Sequence, residues 1–196
     1  IIVKHGLRQL ASTLRPGLQA LIRVNNLEGA EITAYHVGFV LGPCINASGC
    51  LDTATRALAL LCTEDRQKAA KLAGDLYDLN QSRKAMTEQG KEQAINEIET
   101  EGINKDRVLV VYLPECHESL AGIIAGRIRE LYHKPVFVLT KAENGVKGSG
   151  RSIEAYSMYE ELVKCRDLLI QFGGHPMAAG FSLPRSRIDE MRRRLN

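Results

Sequence analysis

Apolar positions in the first sixty residues recur at helical spacing: Leu7, Leu10 and Leu14, then Leu18, Leu21 and Ile22, with Pro16-Gly17 punctuating the two runs. A third helix is expected from Thr33 to Leu41, stopped by Gly42-Pro43. Cys44 to Cys50 then reads as a polar turn, and Thr53 to Cys62 as a further helix. From Asp65 to Glu101 there is no proline, and alanine, leucine, lysine, glutamine and glutamate dominate. That stretch predicts one helix of about 50 Å. Leu72, Leu76, Leu79 and Met86 share a stripe on it, while its later half is polar apart from Ala94, Ile95 and Ile98, as suits a helix bridging two bodies. Gly90 is a flexing point within it.

The period changes after Gly102. Val108 to Tyr112 and Pro135 to Leu139 are continuous apolar runs of the buried-strand type, and Leu120 to Leu131 between them has helical spacing. Strand, helix, strand predicts a parallel pair inside a mixed sheet. Val146 to Ser152 follows as a glycine-rich hairpin or strand. Next come a helix near Met158 to Ile170, a Gly-Gly-His turn, a strand through Gly180 to Leu183, and a helix opened by Pro184. The fold class is therefore α/β: a helical segment and long connector helix, followed by a small α/β domain with a mixed sheet. The expected boundaries are 1–64, 65–101 and 102–196.

With 44% apolar residues the chain can build a real core. It has no apolar run of the roughly 18 to 20 residues that cross a bilayer, and no export pattern, so a cytoplasmic protein without a membrane partner is expected. The first residue is Ile1, and Asn196 falls inside an expected helix, which suggests a piece of a longer protein. Five scattered cysteines (Cys44, Cys50, Cys62, Cys116, Cys165) form no CxxC pair and read as buried thiols rather than metal ligands. The formal charge of +3 collects after Lys147, where nine basic residues face six acidic ones. This bias is compatible with a polyanion, although Arg192-Arg193-Arg194 reads better as the solvated face of a helix.

Two segments carry candidate chemistry. Lys147-Gly148-Ser149-Gly150-Arg151-Ser152 combines close backbone approach, two hydroxyls and a guanidinium fork, either as a phosphate platform or as a polar hairpin tip. Gly173-Gly174-His175 brings permissive backbone and a directional ring, which proline at position 176 holds extended. As two donor-rich loops in one layer, they would flank a common groove. Arg127 lies on a helix of small residues (Ala121, Gly122, Ala125, Gly126), which serve either a ligand or tight helix-to-sheet packing. His117 either caps that helix or faces the groove. No hydrolytic centre can be assembled: Asp52, Asp65, Asp75 and Asp78 are dispersed, and Gly148-Ser149-Gly150 lacks the spacing of a nucleophile elbow.

Three features in order carry a family resemblance: Gly42-Pro43-Cys44-Ile45-Asn46-Ala47-Ser48-Gly49-Cys50; the helix with Leu79-Asn80 and Arg83-Lys84; and the second domain with His117, Lys147 to Ser152 and the run GGHPMAAGF. Together they resemble RecJ-type exonucleases of the DHH superfamily, with 1–64 as the tail of the catalytic domain, 65–101 as the connector and 102–196 as the DHH-associated, substrate-binding domain. The resemblance implies a 5′ to 3′ exonuclease specific for single-stranded DNA, using manganese or magnesium, in which a groove between the domains admits only single strands. Arg127, Ser149, Arg151 and Ser152 would contact the sugar-phosphate backbone, and Gly173, Gly174 and His175 would grip a phosphate. Asn46 and His117 are candidate groove residues, and repair proteins are candidate partners. No catalytic or metal-binding residue of the family falls within this chain, so it is expected to be inactive alone. The family usually has arginines where Cys44 and Cys50 stand, and tryptophan and glycine in place of Cys116 and Ser119. A phosphodiesterase of short oligoribonucleotides or cyclic dinucleotides, or a non-enzymatic interaction module, are the alternatives.

Overall fold

The helical spacing at the start of the chain produces α1 (Ile2–Ala11) and α2 (Pro16–Val24), with Pro16 in the first turn, where its missing N–H goes unused anyway. The computed structural model describes all 196 residues, which divide into two units, Ile1–Lys84 and Ala85–Asn196. The stop expected at Gly42-Pro43 does not occur. Helix runs on from α3 (Ala34–His36) through a π-helical turn (Val37–Leu41) into α4 (Gly42–Leu51). The Gly42 N–H reaches back five residues to the Val37 carbonyl, and a Cβ on Gly42 would stand 2.7 Å from that oxygen. The widened turn absorbs Pro43 where an ordinary helix would break. What reads as a polar turn from Cys44 to Cys50 is therefore helix. α5 (Ala54–Cys62) follows, and Asp65 caps α6 (Arg66–Thr100) by accepting from the Gln67 and Lys68 amides at 2.7 and 3.1 Å. Leu21, Cys44, Leu60 and Leu76 are fully buried in the core of this unit.

The second unit contains β1 (Leu109–Tyr112), α7 (Ala121–Tyr132), β2 (Val136–Ala142), β3 (Gly145–Arg151), α8 (Met158–Lys164), β4 (Gln171–His175), β5 (Ala178–Leu183) and α9 (Ile188–Leu195). The strand order is β1-β2-β3-β5-β4, with β1 and β2 parallel and every other pair antiparallel. The expected strand-helix-strand unit and mixed sheet are thus present. Both faces of the sheet are packed at its β1–β2 side, which is why those strands read as unbroken apolar runs. Phe137, Leu139, Phe181 and Leu183 meet Met158, Leu162 and Met191 on one face. On the other, Val136, Val138 and Val111 meet Ile124, Ile128 and Ile98.

The outer edge of β1 is covered by side chains. Asn196 accepts from the Val108 amide at 2.9 Å and donates to its carbonyl at 3.1 Å, Arg192 donates to the Val110 carbonyl at 3.0 Å, and Glu97 accepts from the Tyr112 amide at 2.9 Å. This blocks strand addition at that edge. It also explains the basic run on α9. Arg192 is bound to Glu97, and Arg194 to Asp167 at 2.6 Å and Glu190 at 2.8 Å, so these arginines hold the fold together.

Burial pushes the Glu97 carboxyl above the usual carboxylate range, whereas Arg194 holds Asp167 and Glu190 below it. A raised carboxyl contributes stability that is present below its unfolded pKa and lost as pH rises. The lowered pair contributes stability that is lost as pH falls. Glu97→Gln keeps the acceptor for Tyr112 but removes the contribution that opposes acid loss. Urea midpoints should then fall more steeply on acidification through the carboxylate range than in the parent; parallel pH profiles would contradict this.

Candidate nucleic-acid interface

Of the two segments singled out in the sequence, Lys147 to Arg151 lies in β3, in line with the strand reading of that stretch, whereas Gly173 to His175, expected as a turn, lies in β4, and β5 pairs with both. Glycine-rich strands carry little intrinsic strand signal, so their regularity comes from the ladder itself. The turn of the β4–β5 hairpin is Pro176-Met177, one residue beyond the histidine. Paired residues in a ladder share a face, and the register sorts them into three rows across β3, β5 and β4. The first is Lys147–Ser182–Gln171, the second Ser149–Gly180–Gly173 and the third Arg151–Ala178–His175.

The middle row is nearly free of side chains and forms the floor of a trough, with a cation or polar group on each bank. Helix α7 covers β2 and β3 on this face and leaves β5 and β4 open. The turn before α7 and its first residue (Glu118, Ser119, Ala121) form the wall of a depression of about 510 Å³ over Ser149, Gly180 and Gly173. Arg151 is braced: Nη1 donates to the Gly150 carbonyl at 2.7 Å, and the guanidinium lies against Gly122, where a Cβ would come within 2.7 Å of Nη2 and 2.9 Å of the Ser149 Oγ. Gly126 faces the same arginine's stem. Tight packing of helix on strand thus accounts for the small residues of α7, and it fixes Arg151 beside the floor.

The other expected site residues fall in different places. His175 is exposed, on the same face as Arg151, with its ring free of protein partners. Gly174 points to the opposite face, where a Cβ would meet the Ala178 carbonyl at 2.5 Å. Ser152 is a correction. It is fully buried, its hydroxyl donates to the Tyr156 carbonyl and its amide to the Met177 carbonyl at 2.9 Å, so it ties down the β4–β5 turn and is closed to a ligand. Arg127 is exposed further along α7, ion-paired with Glu130 at 3.4 Å, and does not line the trough. His117 caps the turn before α7, accepting from the Ser119 amide at 3.3 Å. Asn46 is exposed on α4, in the other unit, with Nδ2 donating toward Cys50 Sγ at 3.6 Å.

Residues 105–196 match the model of the DHHA1 domain. The single-stranded-DNA-specific exonuclease RecJ of Dickeya dadantii is 39% identical over 203 residues, covering 99% of this chain and 35% of that protein. RecJ of Bacillus subtilis is 36% identical over 198 residues, covering 100% and 25%. The crystal structure of Thermus thermophilus RecJ in complex with Mg2+ superposes with a TM-score of 0.86 at 32% identity over 98% of this chain and 30% of that one. The chain belongs with the RecJ proteins and carries a DHHA1 domain. It spans about a third or less of the length of these curated relatives.

Against the RecJ pattern, Cys44 is fully buried between Asn25 and Asn80, the latter donating to Sγ at 3.5 Å, and burial raises its thiol pKa. Cys116 is half-buried, also raised by burial, beside a small cavity of about 80 Å³ that Gly90 and Leu120 help line. Only Cys44 and Cys165 are buried outright, and Cys62 is exposed at the end of α5, so the expectation of five buried thiols does not hold. Lys147, Gln171, Ser182 and Glu118 complete the trough. Lys147 stood in the phosphate-platform hexapeptide; Gln171 and Ser182 become visible only through the strand register, and Glu118 only through the packing of the turn before α7 against β3. Glu118 accepts from Lys147 Nζ at 2.7 Å with both side chains half-exposed. No helix is long and apolar enough to cross a membrane.

Proposed function

We propose that this chain is the strand-holding part of a cytoplasmic, single-stranded-DNA-specific exonuclease, and that the trough grips the sugar-phosphate backbone. The observation that carries the reading is the register: Ser149, Arg151, Gly173 and His175 stand on one face, the first two beside α7 and the last two where the sheet is open, around a floor without bulky side chains. The amides of β3 and β5 are engaged in the ladder, so the donors offered to phosphate oxygens over this floor are side chains, the Ser149 hydroxyl among them. Arg151 adds a planar fork and His175 an exposed, directional ring. Contacts of this kind carry little base information and depend strongly on salt.

The RecJ relatives have been solved with Mg2+ and with Mn2+, and the complete enzyme would use such an ion for hydrolysis. The residues of this chain do not fit one, because no group of three or more His, Cys, Asp or Glu lies together. Its own part is to bind and orient the strand. Fluorescence anisotropy with a labelled oligonucleotide tests this. The chain should bind the single strand at low salt, weaken linearly in log salt and bind the matching duplex less tightly. Equal affinity for duplex and single strand would refute the reading.

A further inference from the structure

The trough continues past its Lys147–Ser182–Gln171 bank into a second depression of about 420 Å³, where Glu118, Glu143, Asn144, Lys147, Ile170 and Gln171 are among the lining residues. Its chemistry differs from that of the opposite bank. Arg151 and His175 offer a cation and a ring donor with no carboxylate in their row. Here two carboxylates accompany one lysine, and that lysine is already paired with Glu118. A phosphate would meet net negative charge. The second carboxylate oxygen of Glu118, the amides of Asn144 and Gln171 and the hydroxyl of Ser182 have no partner within the protein, while Ile170 presents an apolar side chain that is 60% exposed. An apolar surface beside unsatisfied amide and carboxylate groups matches a nucleobase, which has a flat apolar face and a hydrogen-bonding edge. The surplus of acceptors favours an edge carrying an amino group, as in cytosine, over the carbonyl edge of thymine.

We propose that this depression is a nucleobase pocket, taking an amino-bearing base of a strand whose phosphates lie toward Arg151 and His175. The proposal rests on the strand-holding reading. It also gives the strand a direction across the sheet, with backbone to one bank and base to the other.

The test compares equal-length oligo-dC and oligo-dT, at mildly alkaline pH and over a range of salt, for the parent chain, Glu118→Gln and Arg151→Ala. The parent should bind oligo-dC about threefold more tightly, the size of one exposed hydrogen bond. Glu118→Gln should bring the ratio toward one without altering the salt slope, and Arg151→Ala should weaken both ligands while preserving the ratio. The Glu118–Lys147 pair is half-exposed, so its loss leaves folding nearly unchanged. A ratio that Glu118→Gln does not move overturns the proposal. So does equal tightening of both ligands with a slope steeper by about one, which would place Glu118 against phosphate. If the parent binds neither oligonucleotide at low salt, the strand-holding reading itself fails.

Discussion

Replacing Arg151 by alanine lowers affinity for single-stranded DNA by about tenfold or more, equally for all sequences, and reduces the salt slope by about one. The expectation follows from how the residue is held. Its stem runs along β3 under Gly122 and Gly126 of α7, Nη1 is fixed to the Gly150 carbonyl, and Nη2 has no hydrogen-bond partner in the protein. A braced guanidinium loses little freedom on meeting a phosphate, so most of the charge-assisted bond survives as affinity. Arg127→Ala, on the same helix but away from the trough, is the control and should change binding little. An unchanged salt slope for Arg151→Ala would show that this guanidinium meets no phosphate.

The second large effect separates two neighbouring glycines. Gly174 has φ of 155°, and a Cβ there would stand 2.5 Å from the Ala178 carbonyl and 2.6 Å from the Ala179 Cα. Because the obstacle is backbone of the paired strand, Gly174→Ala should destabilise the protein by about 3 kcal/mol, measured by urea or thermal unfolding. Gly173 has nothing within 4 Å of its would-be Cβ, so Gly173→Ala should change stability by less than about 1 kcal/mol. Its methyl would instead project into the floor of the trough, and DNA affinity should fall. Comparable stability losses in the two variants would contradict the assignment of one glycine to the hairpin and the other to the floor.

The strand-helix-strand unit was legible because Val108 to Tyr112 and Val136 to Leu139 announce strands packed on both faces, and the long helix because nothing from Arg66 to Thr100 interrupts it. Gly42-Pro43 misleads. These residues usually end helices, and nothing local reveals that a π turn starting at Val37 makes room for them. The trough was half legible. Ser149, Arg151, Gly173 and His175 stand out by residue type, but their alignment into rows with Gly180, Gln171 and Ser182 is a matter of register between β3 and a β4–β5 hairpin that lies beyond α8 in sequence. Ser152 illustrates the opposite error. Its hydroxyl looks like one more donor beside Arg151, yet strand alternation turns it into the interior, where Tyr156 uses it.

The most direct test of the trough is amide mapping by NMR on titration with a short single-stranded oligonucleotide. The account predicts that the largest perturbations fall on Ser149, Gly173, Gly180 and Arg151, with the α8 and α9 face of the same sheet unaffected. Perturbations centred on that other face, or spread over α1 to α5 with the trough silent, would contradict it.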